Sequence, residues 1–202
     1  MEDLPISVIV PLSSHRKDFF YRFCLPSVEA NNPKEIIIID EEGTAPHKRN
    51  KGFDISTQNF VFFCDDDAIL GCDCLKKMLQ SIENGPEAFS YCHYAGIVTN
   101  KNAHPLKENF ISESKFFDLD SLKRYNYIDT MSLLKREFFP RFDESLLGYQ
   151  DWDLWLTIAE AGGTGFFIDD MLFLKFYFDS GISSDPERHQ KFKLIVKQKH
   201  SH

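Results

Sequence analysis

The chain has 202 residues, 43% of them hydrophobic and 27% charged, with a formal net charge of -8. A chain of that length and mix buries a sizeable core as one domain, and its 20 Phe exclude a disordered polymer, which lacks the apolar surface to offset ordering entropy. The acidic balance argues against a nucleic-acid partner, since a phosphate backbone selects a basic face. A phosphorylated small molecule stays within reach where a metal ion or a local Lys/Arg cluster supplies positive charge.

The five cysteines, Cys24, Cys64, Cys72, Cys74 and Cys92, form no regular framework, and an odd count reads as free thiols in a reducing compartment. Cys72 and Cys74 make a C-x-C pair with no second Cys/His pair at zinc spacing. The acidic start Met1-Glu2-Asp3 is unlike a signal peptide, and no apolar run approaches the roughly 18 residues of a membrane span. The expected setting is cytoplasmic, with attachment to the inner face of a membrane left open.

In chain order, Ile6-Ser7-Val8-Ile9-Val10 reads as a buried parallel strand stopped by Pro11. Residues 18–31 read as a helix with Phe20, Phe23, Val28 and Leu25 on its apolar side, kinked or divided at Pro26. Glu35 to Ile39 is a second strand, and the polar, basic stretch from Thr44 to Gly52 reads as a loop. Asn59 to Phe63 is a third strand ending in Cys64-Asp65-Asp66-Asp67, with a helix from about Cys72 to Asn84 after it. Ser90 to Thr99 reads as a strand, Asn100 to Asp120 as irregular, Met131 to Leu134 as a short strand and Lys135 to Arg141 as a short helical turn. Trp152, Trp155, Leu156 and Ala159 set helical spacing over Gln150 to Ala161, closed by Gly162-Gly163. Phe166 to Ile168 and Phe173 to Phe178 read as two further strands; Asp185 to His202 is charged and helical, and its last residues, from Lys197, read as frayed.

Strand, helix, strand, loop, strand, helix is the order of an α/β domain on a mostly parallel sheet flanked by helices. Ligands of such sheets bind beyond the carboxyl ends of the strands. Those ends carry Pro11-Leu12-Ser13, Asp40-Glu41-Glu42 and Asp65-Asp66-Asp67. Three adjacent carboxylates repel one another, and a divalent cation such as Mg or Mn relieves that cost while keeping positions open for diphosphate oxygens. The competing reading is an acidic cap on the next helix. A second constellation is Gln150-Asp151-Trp152-Asp153-Leu154-Trp155. Its two acids are two apart, so on a helix they face different ways: Asp151 toward a cleft, Asp153 toward a backbone or basic group. Trp155 reads as core; Trp152 as core or as a wall of an acceptor pocket. The Ser180 to Ser184 loop and His189 are candidates for a lid, whereas His47, His93 and His104 read as structural or solvated.

The chain resembles the family of inverting nucleotide-sugar glycosyltransferases with the A-type fold (glycosyltransferase family 2-like). The resemblance rests on Ile6 to Pro11, on Ile36-Ile37-Ile38-Ile39-Asp40-Glu41, on Arg49-Asn50-Lys51-Gly52, on Asp65-Asp66-Asp67 as an Asp-x-Asp motif, and on Gln150 to Trp155. Each motif is weak alone; their joint order over roughly residues 5–185 is strong. It implies a Rossmann-like nucleotide-diphospho-sugar transferase domain spanning 1–202. Residues 5–100 would be its donor half, 101–185 its acceptor and base half, and 186–202 a tail. It further implies Asp67 as the direct metal ligand with Asp65 beside it, Asp65 and Asp66 on the nucleotide side, and Asp40 or Glu41 bonding the base or ribose. Pro11, Leu12 and Ser13 would approach the nucleotide by their backbone, Arg49 would lie near the base or diphosphate, and Asp151 would be the general base, with Gln150 and Trp152 toward the acceptor. The cofactor would be Mn or Mg, the setting polysaccharide biosynthesis, and the acceptor a glycan, a lipid-linked carrier or another hydroxyl. Three departures stand out: Leu12-Ser13-Ser14-His15 where the family has Thr or Ala and then Tyr-Asn, Glu41 for a second Asp, and Gln150 for Glu, which should leave the Asp151 pKa less elevated. A nucleotidyltransferase, which wants a Gly-rich basic loop after the first strand, and a non-catalytic sugar-nucleotide or glycan-binding protein are the alternatives.

Overall fold

The computed structural model describes residues 3–100, 106, 108–178 and 186–201. β1 (Leu4–Pro11) pairs in parallel with β2 (Pro33–Ile39) on one side and β3 (Phe60–Phe63) on the other. Beyond β3 come β7 (Leu133–Lys135), β5 (Phe89–Val98), β8 (Gly165–Tyr177) and β4 (Ala68–Leu70), giving the order β2-β1-β3-β7-β5-β8-β4, with β6 (Phe110–Ile111) paired to β5. The sheet is mixed: β1 with β2, β1 with β3 and β5 with β8 run parallel, while the seams at β7, β4 and β6 are antiparallel. β4 follows β3 in sequence by four residues yet pairs at the far end of the order, so the sheet curls back on itself.

Alternation explains how both faces are covered. On β1, Ile6, Val8 and Val10 pack with Phe20, Val28, Leu75 and Met78, whereas Ile9 faces the opposite cluster with Val61, Phe63, Trp152 and Trp155. The first face is covered by α4 (Cys74–Ile82) and by a composite helix made of α1 (Lys17–Phe19), a π turn (Phe20–Cys24) and α2 (Leu25–Glu29). The second is covered by α3 (Ala45–Ile55), α5 (Leu119–Arg124), α6 (Gln150–Glu160) and α7 (Pro186–Lys199).

Several expectations change. The helix expected over 18–31 exists, but Pro26 does not break it. The chain widens to a π turn just before it, with Leu25 N bonded to Phe20 O. The extra residue shifts the helical phase, so Phe20, Cys24 and Val28 are buried while Phe23 is 44% exposed. Thr44 to Gly52 is no loop but most of α3; its pattern is polar because Lys48, Arg49 and Asn50 are buried on it beside Pro46 and Gly52. α4 begins at Cys74, and β4 lies between it and the acidic triplet, which rules out the triplet as a helix cap. The two strands expected near the C-terminus are one bulged strand, β8, whose register against β5 shifts around His93. The stretch from Asn100 to Asp120 contains β6 and the start of α5. The tail is not frayed at its described end: His200 is buried, with Nε2 2.9 Å from Asp153 Oδ1 and Nδ1 2.8 Å from Glu160 Oε2, and Lys199 Nζ lies 2.9 Å from Asp153 Oδ1. The loop Ser180 to Ser184 and the His189 side chain, like His104, lie outside the described residues. All five cysteines are free thiols. Among the described residues no helix is long and apolar enough to cross a membrane.

Candidate active site

β1 and β3 end side by side, and their ends form one wall of a cavity of about 400 Å³. The main chain of Asp67 is pinned from the other direction, since Phe176 N on β8 donates to Asp67 O at 2.8 Å. The three acids then part company. Asp66 is buried, and its Oδ2 accepts from Ser13 N at 2.6 Å, stitching the end of β3 to the end of β1. Asp65 is held between two cations, Oδ1 2.6 Å from Arg49 Nη2 and Oδ2 2.8 Å from Lys175 Nζ. Burial opposes its ionisation, but Lys175 and Arg49 override that and hold it well below the usual carboxylate range. Asp67 has one oxygen 3.2 Å from Arg16 Nη1, and its Oδ1 is buried with no hydrogen-bond partner. Burial and the neighbouring Asp65 push its carboxyl up to about 7. A buried acceptor left without a donor costs free energy, and a cation is the partner that a carboxylate in this state wants.

The opposite wall comes from the start of α6. Tyr149 takes a left-handed conformation (φ 56°) before the helix, and Asp153 N closes the first turn on Tyr149 O. A non-glycine residue there costs about 1–2 kcal/mol, and the turn puts Gln150 and Asp151 on the cavity. Asp151 Oδ1 accepts from Trp152 N at 2.9 Å and Oδ2 from Asn126 Nδ2 at 2.8 Å. Burial first, then the nearby Asp129 carboxylate, raise its pKa to about 6. The elevation therefore stands without a Glu at 150, because burial is its main source. Gln150 turns away from the base, its Oε1 accepting from Arg49 Nη1 at 2.8 Å. Arg49, carried on α3, thus ties the Asp65 wall to the Asp151 wall.

Next to the first cavity lies a second of about 360 Å³, lined by rings of Tyr94, Phe110, Tyr125 and Tyr127 and by Ser112 and Glu113. Asp151, Asn126 and Asp129 border both hollows. A carboxylate placed at such a boundary can take a proton from a group in one hollow as it reacts with a group in the other.

Of the residues expected at the site, Pro11, Ser13, Arg49, Asp65, Asp66, Asp67, Gln150 and Asp151 line the main cavity. Others do not. Leu12 is buried, and its backbone is already spent: its carbonyl accepts from Lys48 Nζ at 2.6 Å and its N–H donates to Ile39 O. Asp40 and Glu41 border neither hollow and pair instead with Lys17 and Lys51. Trp152 is core, fully buried, with Nε1 donating to Leu122 O at 2.6 Å, so it walls no pocket. Gln150 bonds Arg49 and does not border the second hollow. Asp153 does meet basic groups, Lys199 and His200, behind α6. His47 and His93 have partners too, Glu144 and the Ser112 carbonyl.

Sequence reasoning passed over Asn126, Asp129 and Lys175. Asp129 Oδ2 lies 2.9 Å from Lys175 Nζ, and its Oδ1 accepts from Met131 N. The one available signal was Lys175 itself, a lone charge inside the apolar run from Phe173 to Phe178.

The curled sheet, with its acidic strand end facing an acid at a helix start, defines the nucleotide-diphospho-sugar transferase fold of the A type. The model of glycosyl transferase family 2 matches residues 29–142, and the chain belongs to that family. Among solved structures it is similar to S. aureus TarS 1-349 in complex with UDP-GlcNAc, with a TM-score of 0.69 at 14% identity over 96% of this chain and 65% of that one. It is also similar to S. aureus TarS 1-349 without that ligand, with a TM-score of 0.65 at 13% identity over 96% of this chain and 64% of that one. The chain thus spans less than two thirds of these neighbours, and at such identities the likeness is one of fold. No curated protein matches it in sequence.

Proposed function

We propose that the chain moves a sugar from a nucleotide-diphospho-sugar to an acceptor hydroxyl, inverting the anomeric carbon, with Asp151 as general base. The observation that carries this is the pair of facing walls: an acid triplet at the end of β3, and a buried carboxylate whose pKa is raised to about 6 and which borders a second, ring-lined hollow. The donor diphosphate fits the Asp65–Asp67 side and the acceptor fits the hollow with Tyr125 and Tyr127. Asp151 would take the proton from the acceptor oxygen as that oxygen bonds to the anomeric carbon. The bond from that carbon to the diphosphate breaks, and its electron pair leaves with the phosphate oxygen. Attack from the face opposite the leaving group inverts the centre and needs no covalent sugar–enzyme intermediate.

A divalent ion, Mg or Mn, suits Asp67, whose buried Oδ1 has no other partner. Both oxygens of Asp65 are taken by Arg49 and Lys175, and Asp66 is committed to Ser13, so Asp67 is the ligand proposed. No group of three metal-ligating side chains gathers among the described residues. The rest of the coordination would therefore come from diphosphate and water oxygens, as Mg sites commonly arrange. When bound, the ion would neutralise charge developing on the leaving diphosphate.

The structural neighbour holding UDP-GlcNAc makes a uridine donor the first to try. Thermal melting with UDP, GDP, dTDP and CMP, each with and without Mn, is the test, because a ligand of the native state raises Tm. UDP with metal should stabilise the wild type and should not stabilise Asp67→Ala. If no nucleotide shifts the wild type, the donor site is refuted.

A further inference from the structure

We propose that Lys175 is a donor-binding residue whose ammonium contacts the diphosphate of the nucleotide-sugar, in addition to any metal on Asp67; this rests on the donor reading above. Lys175 sits in the second half of β8, a strand outside every motif of the donor half. Its Nζ lies 2.8 Å from Asp65 Oδ2 and 2.9 Å from Asp129 Oδ2, its side chain is 16% exposed, and it lines the main cavity. The position is built. β8 shifts register against β5 around His93, and the next residue, Phe176, donates its N–H to Asp67 O. The ammonium is thus anchored one residue from a main-chain bond to the acid triplet.

A lysine ammonium has three N–H donors, and the described carboxylates take two of them. The other cation on Asp65, Arg49, is fixed in direction rather than short of donors. Arg49 has its Nη groups committed to Asp65 and Gln150, in a planar fork that cannot turn without giving up one of them. A point charge on a flexible stem can add a phosphate oxygen while keeping a carboxylate. The proposal also gives Asp129 a purpose. Held by Met131 N, it keeps the ammonium in the cavity, between the donor wall and the base wall, and prevents it from collapsing wholly onto Asp65.

The rival is a counterion that serves only to neutralise Asp65 and Asp129. The two are separated by calorimetric titration of uridine and of UDP, both with Mg, into the wild type and into Lys175→Met/Asp129→Asn. That double variant removes one cation and one anion together, so no buried charge is stranded. The wild type should bind UDP more tightly than uridine. The double variant should bind uridine as the wild type does and lose about tenfold or more of its UDP affinity, the size of one charge-assisted contact. Should the double variant not fold, Lys175→Gln/Asp129→Asn carries the same comparison without stranding a charge. An unchanged UDP-to-uridine ratio in a folded variant overturns the proposal and leaves Lys175 a counterion. Where UDP fails to bind the wild type, the same titration is run with GDP and dTDP; absence of binding by all three removes the donor reading itself, a result distinct from the first.

Discussion

Asp151 is a weak acid made weaker by where it sits, and in the proposed role of base that sets when it can act. A base must be unprotonated, and burial together with Asp129 raises its pKa to about 6. Donor turnover should therefore be level above about pH 7 and fall by about tenfold per pH unit well below pH 6. Removing the neighbouring negative charge with Asp129→Asn should move that acid limb to lower pH. A rate profile that ignores both pH and Asp129 would remove Asp151 from the role of base. At this scale the acid triplet and Asp151 were legible because each stands at a strand or helix end, and Arg49, inside α3, only through its Arg-Asn-x-Gly neighbourhood. Asn126, Asp129 and Lys175 were not. They come from an irregular segment and from mid-strand, and only the curl of the sheet brings them to the cavity. Trp152 misled for a related reason: one helical turn cannot say which of two adjacent faces meets solvent.

Among the elements, α3 departs furthest from its sequence pattern. Its buried side is polar because it serves the site: Lys48 reaches the carbonyl of Leu12, Arg49 reaches Asp65, and Asn50 exchanges two hydrogen bonds with the backbone of Phe142. An apolar periodicity search finds nothing in such a helix. Gly52 lets it lie close to β1. A Cβ added there would fall 2.3 Å from Ile9 Cγ2, on a stiff, fully buried side chain. Gly52→Ala gains about 1 kcal/mol in helix propensity, but overpacking costs roughly 1–3 kcal/mol, so the net should be a loss of up to about 2 kcal/mol. Urea denaturation reads this directly, and a more stable Gly52→Ala would show that α3 sits further from the sheet. The Arg-Asn-x-Gly motif is thus a spacing device: the glycine sets how near the arginine comes.

Over the whole molecule, stability in acid should depend on a carboxylate far from the cavity. Glu35, at the start of β2, accepts from Ser7 on β1 and from Thr57 and Gln58 just before β3, so it ties three parallel strands at one end. Burial works against its charge, but those donors hold its pKa down to about 2. A folded-state pKa below the unfolded value means stability that is full above about pH 5 and is lost as pH falls toward about 2. The Tm gap between wild type and Glu35→Gln should follow that course; a gap that stays constant to pH 2 would mean the charge contributes nothing. The architecture itself, helices on both faces of a sheet with the site at the strand ends, was readable from strand order alone. The closure by β8 was not, because a bulge looks like a turn in sequence.

That closure has a consequence for synthesis on the ribosome. The acid triplet is translated early, at the end of β3, whereas one of its neutralising cations, and the N–H that pins Asp67, arrive only with residues 175 and 176. Until those residues emerge, a nascent chain can form the β1–β2–β3 core but carries unbalanced carboxylates at its edge. Pairings between such distant segments form late, so a ribosome stalled before β8 should present a partly folded, acidic intermediate, open to proteases and chaperones.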